Sequence, residues 1–302
     1  MAKVEAKVKA ANNELQTLEK IKRLAVMAMF SDDDLMEALV LKGGNAMALI
    51  HKLTSRQSVD LDFSMERDFP GGVEGVQAKI VRALQRTFRA EGYEPFDFKM
   101  AEKPVQVSPE LASFWGGYDL EFKLAPSAQY EAQKHDMNRL RKAAVNIGQG
   151  PRFCIDISRF EYVEDKEPSE LDGYRIFVYS PTMIACEKLR AICQQMMVYG
   201  PVVKRARPGA PRARDFVDIY VLVEQLGLKL AEPKAVHILQ EMFKVKRVEL
   251  EWLADIGQER EFHRQNFEAV KQTMATTYDL KAFDFYFDYV VDLARVVLAA
   301  AR

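Results

Sequence analysis

Cysteine is scarce in this chain. The three present, Cys154, Cys186 and Cys193, form an odd set without C-x-x-C spacing. That speaks against a disulfide framework and a zinc knuckle, and it suits a reducing compartment. Histidine offers no more: His51, His135, His237 and His263 lie far apart with no H-E-x-x-H, so no histidine metal site is expected. Long apolar runs are missing too. The longest, 24–30, has seven residues where a membrane helix needs roughly 20, and no membrane partner is expected. The N-terminal segment lacks the charged, apolar and small-residue order of a secretory signal, which makes the cytoplasm the expected location. Neither sign of charge prevails: Lys and Arg number 43 against 44 Asp and Glu, a net charge of −1. Binding to nucleic acid through global charge is thereby excluded, and only a local basic patch remains open. What is left, 48% hydrophobic and 29% charged over 302 residues, is a soluble globular chain long enough for two structural regions.

The pattern along the chain changes near residue 180. Before it, apolar spacing predicts helices over 1–30, 45–52, from the Pro70-Gly71-Gly72 break to Gly92, and over 127–147. Ser31, with Asp34 three residues on, reads as a capping box for a short helix ending at Ala38. Strands are predicted over 39–41, 58–64, 96–100, 118–124, 153–158 and 176–179. From Pro181 onward the pattern is almost wholly helical. The fold class expected is therefore α+β, with a mixed α/β domain over 1–180 and a helical domain over 181–302. The aromatic cluster Phe283, Phe285, Tyr286, Phe287 and Tyr289 opens the last helix and reads as core packing.

The sharpest chemistry lies in Ser58-Val59-Asp60-Leu61-Asp62-Phe63-Ser64. Alternate strand residues share a face, so Val59, Leu61 and Phe63 face the core while Asp60 and Asp62 share the other side. Two carboxylates so placed repel each other, and a divalent cation relieves the repulsion; Mg²⁺ favours carboxylate oxygens together with nucleotide phosphates. Alone, the pair also fits the solvated side of an edge strand. Its context is Gly43-Gly44, sixteen residues earlier at a strand–helix junction, where backbone N–H groups can approach an anion. No P-loop consensus is present. A third carboxylate comes from Phe153-Cys154-Ile155-Asp156-Ile157-Ser158, with Asp156 on the polar side. Three carboxylates can hold two ions about 4 Å apart, and Asp156 could serve as general base. Glu121, polar in its own alternating strand, competes for the third place.

These residues carry a resemblance. Leu41-Lys42-Gly43-Gly44-Asn45-Ala46, followed by Arg56-Gln57-Ser58-Val59-Asp60-Leu61-Asp62-Phe63, resembles the K-G-G-T-A-L … R-x-S-x-D-L-D-F signature of the AbiEii/AbiGii-type nucleotidyltransferase toxins, of the polymerase-beta-like nucleotidyltransferase superfamily. The departures are Asn45, whose amide can replace a threonine hydroxyl as a phosphate contact, and Met47. Met183-Ile184-Ala185-Cys186-Glu187-Lys188-Leu189-Arg190-Ala191 resembles the family's A-x-K-L-x-A helix. Arg214-Asp215-Phe216-Val217-Asp218-Ile219-Tyr220 resembles its R-D-x-x-D-L-Y helix. The four blocks fall in order over residues 39–222.

The resemblance implies a polymerase-beta-like core with a mixed sheet, Mg²⁺ as cofactor (two ions) and an NTP as substrate. It assigns Asp60 and Asp62 to metal and catalysis, where alternation in 153–158 adds Asp156, with Lys188 and Asp215 beside them. Gly43, Gly44, Asn45, Arg56, Ser58 and Lys188 would bind the nucleotide. It further implies the toxin of a bacterial toxin–antitoxin or phage-defence pair, restrained by a cognate antitoxin, with tRNA as acceptor, since some relatives extend tRNA 3′ ends. A small molecule or a protein hydroxyl is the alternative acceptor, and a non-catalytic nucleotide-binding module the alternative class.

On a helical wheel Lys188 stands at the margin of the stripe Ile184, Ala185, Leu189, Ile192 and Met196, with Glu187 and Arg190 pointing elsewhere. Such a lysine either meets a phosphate or snorkels to the surface. Asp215 and Asp218 are expected in the first turn of their helix, where carboxylates complement the dipole. Between the two helices, residues 201–214 hold five basic residues, no acid and three prolines. The segment reads either as a solvated connector or as a phosphate-gripping loop.

Overall fold

The computed structural model describes residues 2–53, 60–146, 150–274 and 278–302. A 28-residue helix α1 (Ala2–Met29) leads to α2 (Asp33–Ala38) and the short strand β1 (Val40–Lys42). One helical turn α3 (Gly43–Asn45) continues as a wider turn over Ala46–Ile50. Then come β2 (Leu61–Ser64), α4 (Gly72–Ala90), β3 (Tyr93–Lys103), β4 (Gly117–Pro126), α5 (Ser127–Gln133), α6 (Met137–Lys142), β5 (Phe153–Ser158), β6 (Glu167–Leu171) and β7 (Tyr174–Val178). The seven strands form one mixed sheet in the order β3-β4-β5-β2-β1-β7-β6. The β2–β5 and β1–β7 pairs are parallel and the rest antiparallel.

From Pro181 the chain is helical: α7 (Pro181–Cys193), α8 (Ala213–Leu226), α9 (Pro233–Val245), α10 (Arg260–Arg264), α11 (Phe267–Thr273) and α12 (Phe283–Ala301), with 3₁₀ turns between. Alternation explains the sheet. Tyr118, Leu120, Phe122 and Leu124 of β4, with Phe153, Ile155 and Ile157 of β5, are buried. Against them packs α4 through Ile80, Leu84 and Phe88, at three- and four-residue spacing. The main apolar core continues from these residues into the helical half, where Phe216 stacks on Phe287 and meets Phe283 edge-on. Phe283, Tyr286 and Phe287 are buried as packing residues, whereas Phe285 is 44% exposed.

Several expectations need correction. Asp32, not Ser31, caps α2: its carboxylate accepts from the Leu35 N–H, while the Ser31 hydroxyl is spent on the Ala28 carbonyl. The single helix expected over 127–147 is two short ones, because Asp136 accepts from the N–H groups of Asn138 and Arg139 and so starts a new helix. β6 was not foreseen. It is an edge strand bearing Pro168 and two glutamates, a composition without strand propensity that only an edge tolerates.

Candidate active site

Register assembles the site. On the polar side of the sheet Lys42 of β1 stands abreast of Asp62 of β2, Asp62 abreast of Asp156 of β5, and Asp156 abreast of Asp119 of β4. One lysine and three aspartates thus form a row across four strands, each beside the next at the separation of cross-strand neighbours, ~5 Å. Asp60 lies two residues before Asp62 and is exposed. Asp119 was missed from sequence. Its alternation with Leu120 and Phe122 placed it on the polar side together with Glu121, but only the β4–β5 register shows which of the two meets Asp156. Glu121 stands beside Cys154 instead and is bound by Arg152 at 3.2 Å.

Burial and crowding raise the carboxyls of Asp62, Asp119 and Asp60. Asp62 is pushed up to about 6, chiefly by burial; the Lys42 ammonium opposes this, while Asp156, Glu187 and Asp60 add to it. Burial, then Asp156, raises Asp119 likewise. Asp60 is exposed as a residue, yet partial desolvation of its carboxyl in the cleft, then Asp156, raises it against Arg214 and Lys103. Carboxyls whose charged form is disfavoured in this way are what a nearby cation would stabilise. The three cysteines are free thiols whose pKa values burial pushes up, so none is a poised nucleophile.

The turn after β1 fits closely over Asp62. Gly43 has φ +66°, and a Cβ there would lie 2.9 Å from Asp62 Oδ2. Only glycine combines that backbone with that approach. Asn45 is 1% exposed, and its Nδ2 donates to the Asp60 carbonyl at 2.5 Å. In this structure its amide therefore holds the Asp60 backbone. Gly43 and Gly44 line the cleft. Arg56 and Ser58 lie outside the described residues.

The facing wall is α7 and the start of α8. Ser180 caps α7 by accepting from the Met183 N–H, with Pro181 in its first turn. Lys188 is buried, and its Nζ donates to Asp215 Oδ1 at 2.8 Å and Asp218 Oδ2 at 2.7 Å. Arg212 Nε donates to the other oxygen of Asp215, and the cations around Asp215 hold its carboxyl below the usual range against the cost of burial. Asp218 lies in the second turn of α8, not the first, and is wholly buried; it accepts from Lys188 rather than capping the helix start. Glu187 and Arg190 do not point elsewhere, as the helical wheel suggested. Both line the cleft, and Arg190 is buried with its guanidinium on Glu161 at 2.7 Å. Glu161 also has Lys246 at 3.4 Å and Lys42 at 3.9 Å. The resulting ionic cluster joins the sheet to the helices beneath the cleft.

The basic segment 201–214 divides its labour. Arg205 donates to the carbonyls of Gln194, Gln195 and Met196, satisfying the end of α7. Lys204 pairs with Glu110, Arg212 grips Asp215, and Arg214 reaches the cleft. His263 and Asn266 pin the last turn of the segment, accepting from the Arg212 and Ala213 N–H groups at 3.0 Å. The cleft encloses about 660 Å³, a volume of the size that ligand pockets have. It brings together Gly43, Gly44, Asp60, Asp62, Asp156, Lys188 and Asp215. Among the described residues no three His, Cys, Asp or Glu side chains form a ready cage for an ion, and no helix is long and apolar enough to cross a membrane.

A mixed sheet with paired carboxylates at one edge of a cleft, roofed by helices that carry cations, defines a nucleotidyltransferase. The family described as nucleotidyl transferase AbiEii toxin, type IV toxin–antitoxin system, matches residues 25–289. The chain belongs to this family, and it is a nucleotidyltransferase toxin of a type IV toxin–antitoxin system. No curated protein sequence matches it. Among solved structures it is similar to JHP933 from Helicobacter pylori at 15% identity, with 97% of this chain and 93% of that one covered and a TM-score of 0.50. It is also similar to a candidate nucleotidyltransferase from H. pylori (13% identity, 95% of each chain, TM-score 0.49). A third is an antigenic nucleotidyltransferase-like protein from Paracoccidioides brasiliensis (14% identity, 85% and 95% covered, TM-score 0.36).

Proposed function

We propose that this toxin transfers a nucleoside monophosphate from an NTP to the 3′ end of tRNA, with Mg²⁺ held by Asp60, Asp62 and Asp156. The observation that carries the reading is the in-register Asp62–Asp156 pair facing the Lys188–Asp215 wall across one cleft. The donor set is hard oxygen, as Mg²⁺ requires, and phosphate oxygens and water would complete the coordination. When bound, the ions would lower the pKa of the attacking hydroxyl and neutralise charge on the triphosphate.

The chain's own residues do the positioning. Gly43 and Gly44 let the backbone come close to the phosphates. Lys188, Arg212 and Arg214 set positive charge on the opposite wall, where the triphosphate would lie. Asp215, held ionised by its cations, fixes Lys188 and Arg212 in place. Asp156, half-buried between Asp62 and Asp119, is the carboxylate to accept the acceptor hydroxyl's proton. For tRNA the support is the family's chemistry together with the exposed Arg214 at the cleft, which suits brief contact with a phosphate backbone. The cytoplasm, where tRNA and a cognate antitoxin would meet the enzyme, is the compartment this requires.

The test is incubation of purified protein with Mg²⁺, labelled NTPs and bulk tRNA. RNA should become labelled, and Asp62→Asn should abolish labelling. Labelled protein or small molecules with RNA untouched would replace the acceptor. Labelling that survives Asp60→Asn with Asp62→Asn would remove this site altogether.

A further inference from the structure

β3 is the longest strand, eleven residues, and it ends at Lys103 beside the carboxylate row. Lys103 stands abreast of Gly117 of β4, which in turn stands abreast of Ser158 of β5, two residues along from Asp156. Gly117 is fixed as glycine, because a Cβ there would meet the Ile157 carbonyl at 2.1 Å. No side chain therefore stands between Lys103 and the row. The lysine reaches past this gap, and its Nζ binds Asp156 Oδ1 at 2.7 Å. It also faces Asp119, Asp62 and Asp60 electrostatically.

Other lysines of the cleft are buried and committed. Lys42 donates to Ser158, Lys188 to two aspartates, and Lys246 to the carbonyls of Phe114 and Arg159. Lys103 is different: its side chain is 62% exposed, and an exposed ion pair is weak. A long side chain held by a weak bond is readily displaced.

We propose that Lys103 is an exchangeable counter-ion of Asp156, so that its ammonium and a divalent cation compete for the same carboxylate. This rests on reading the aspartates as metal ligands. Competition keeps the row neutralised in the free protein. It also releases the Lys103 ammonium toward the cleft at the moment a metal, and the polyphosphate it accompanies, takes its place. Lys103 is thus a positioning residue, and its effect is read on metal binding.

The experiment is Mn²⁺ titration of nucleotide-free protein, with free Mn²⁺ followed by electron paramagnetic resonance. K103Q is expected to bind Mn²⁺ about two- to fivefold tighter than wild type, while K103R, which keeps the charge, stays close to wild type. If K103Q binds no tighter than wild type, or K103R tightens binding as much as K103Q, while D62N weakens it, the counter-ion role is overturned and the metal reading stands. If neither wild type nor any variant binds Mn²⁺ at millimolar concentration, the metal reading fails and the proposal with it.

Discussion

The side-chain amide of Asn45 donates to the backbone carbonyl of Asp60 at 2.5 Å, tying the glycine turn after β1 to the residue that opens the carboxylate row. Asn45 is buried, so removing its amide takes a partner from a group with little access to water. Asn45→Ala is expected to cost about 1–2 kcal/mol of stability and to lower kcat more than it raises KM for NTP. Denaturant unfolding and steady-state kinetics check the two parts. An effect confined to KM would instead assign Asn45 to nucleotide binding, as the sequence suggested.

Gly43 tests the closeness of that turn to the carboxylate row. An alanine there meets two penalties: left-handed backbone at φ +66° and a Cβ 2.9 Å from Asp62 Oδ2. The backbone alone costs about 1–2 kcal/mol. The carboxylate must also move from its place beside Asp156, so Gly43→Ala should abolish nucleotide transfer while the protein still folds. Circular dichroism and single-turnover labelling would show this; near-normal transfer would mean that the turn can relax without moving Asp62.

Lys188 stands between two buried carboxylates, Asp215 and Asp218. Lys188→Met would leave both without that cation in a site almost closed to solvent, and breaking a buried pair in this way costs about 3–5 kcal/mol. The stability loss should shrink when Asp218→Asn is added, because the neutral amide needs no cation. A double-mutant cycle by urea unfolding measures the coupling, and additive losses would contradict it.

Much of this site was legible from local pattern and some was not. Asp60, Asp62, Asp156, Lys188 and Asp215 are brought to one cleft, and alternation in β2 and β5 was enough to put the aspartates on the polar side. Asp119 was hidden because period-two alternation does not fix which residue of β4 stands beside Asp156; that depends on pairing between residues 37 apart in sequence. Arg190 was misread because a helical wheel treats charge as a mark of exposure. Glu161, remote in sequence, supplies the partner that makes its burial possible. The basic segment looked uniform, yet Arg205 closes a helix end while Arg212 and Arg214 serve the cleft, a division set by where α7 stops and α8 begins.

His263 links acidity to this machinery. Its ring is wholly buried, Nδ1 accepts from the Arg212 N–H at 3.0 Å, and Nε2 meets no partner among the described residues. The imidazole is therefore neutral, with its pKa pushed down to about 4, mainly by burial. Because the unfolded histidine titrates near 6.5, the unfolded chain binds more protons between pH 6.5 and 4. Stability from this group is then complete above about pH 6.5 and falls as pH is lowered toward 4, by on the order of 3 kcal/mol. Protonation would also turn Nδ1 from acceptor to donor against the Arg212 N–H, loosening the residue that grips Asp215. His263→Gln should flatten this part of the pH–stability profile in urea unfolding between pH 4 and 7. A slope there unchanged from wild type would show that other groups govern it.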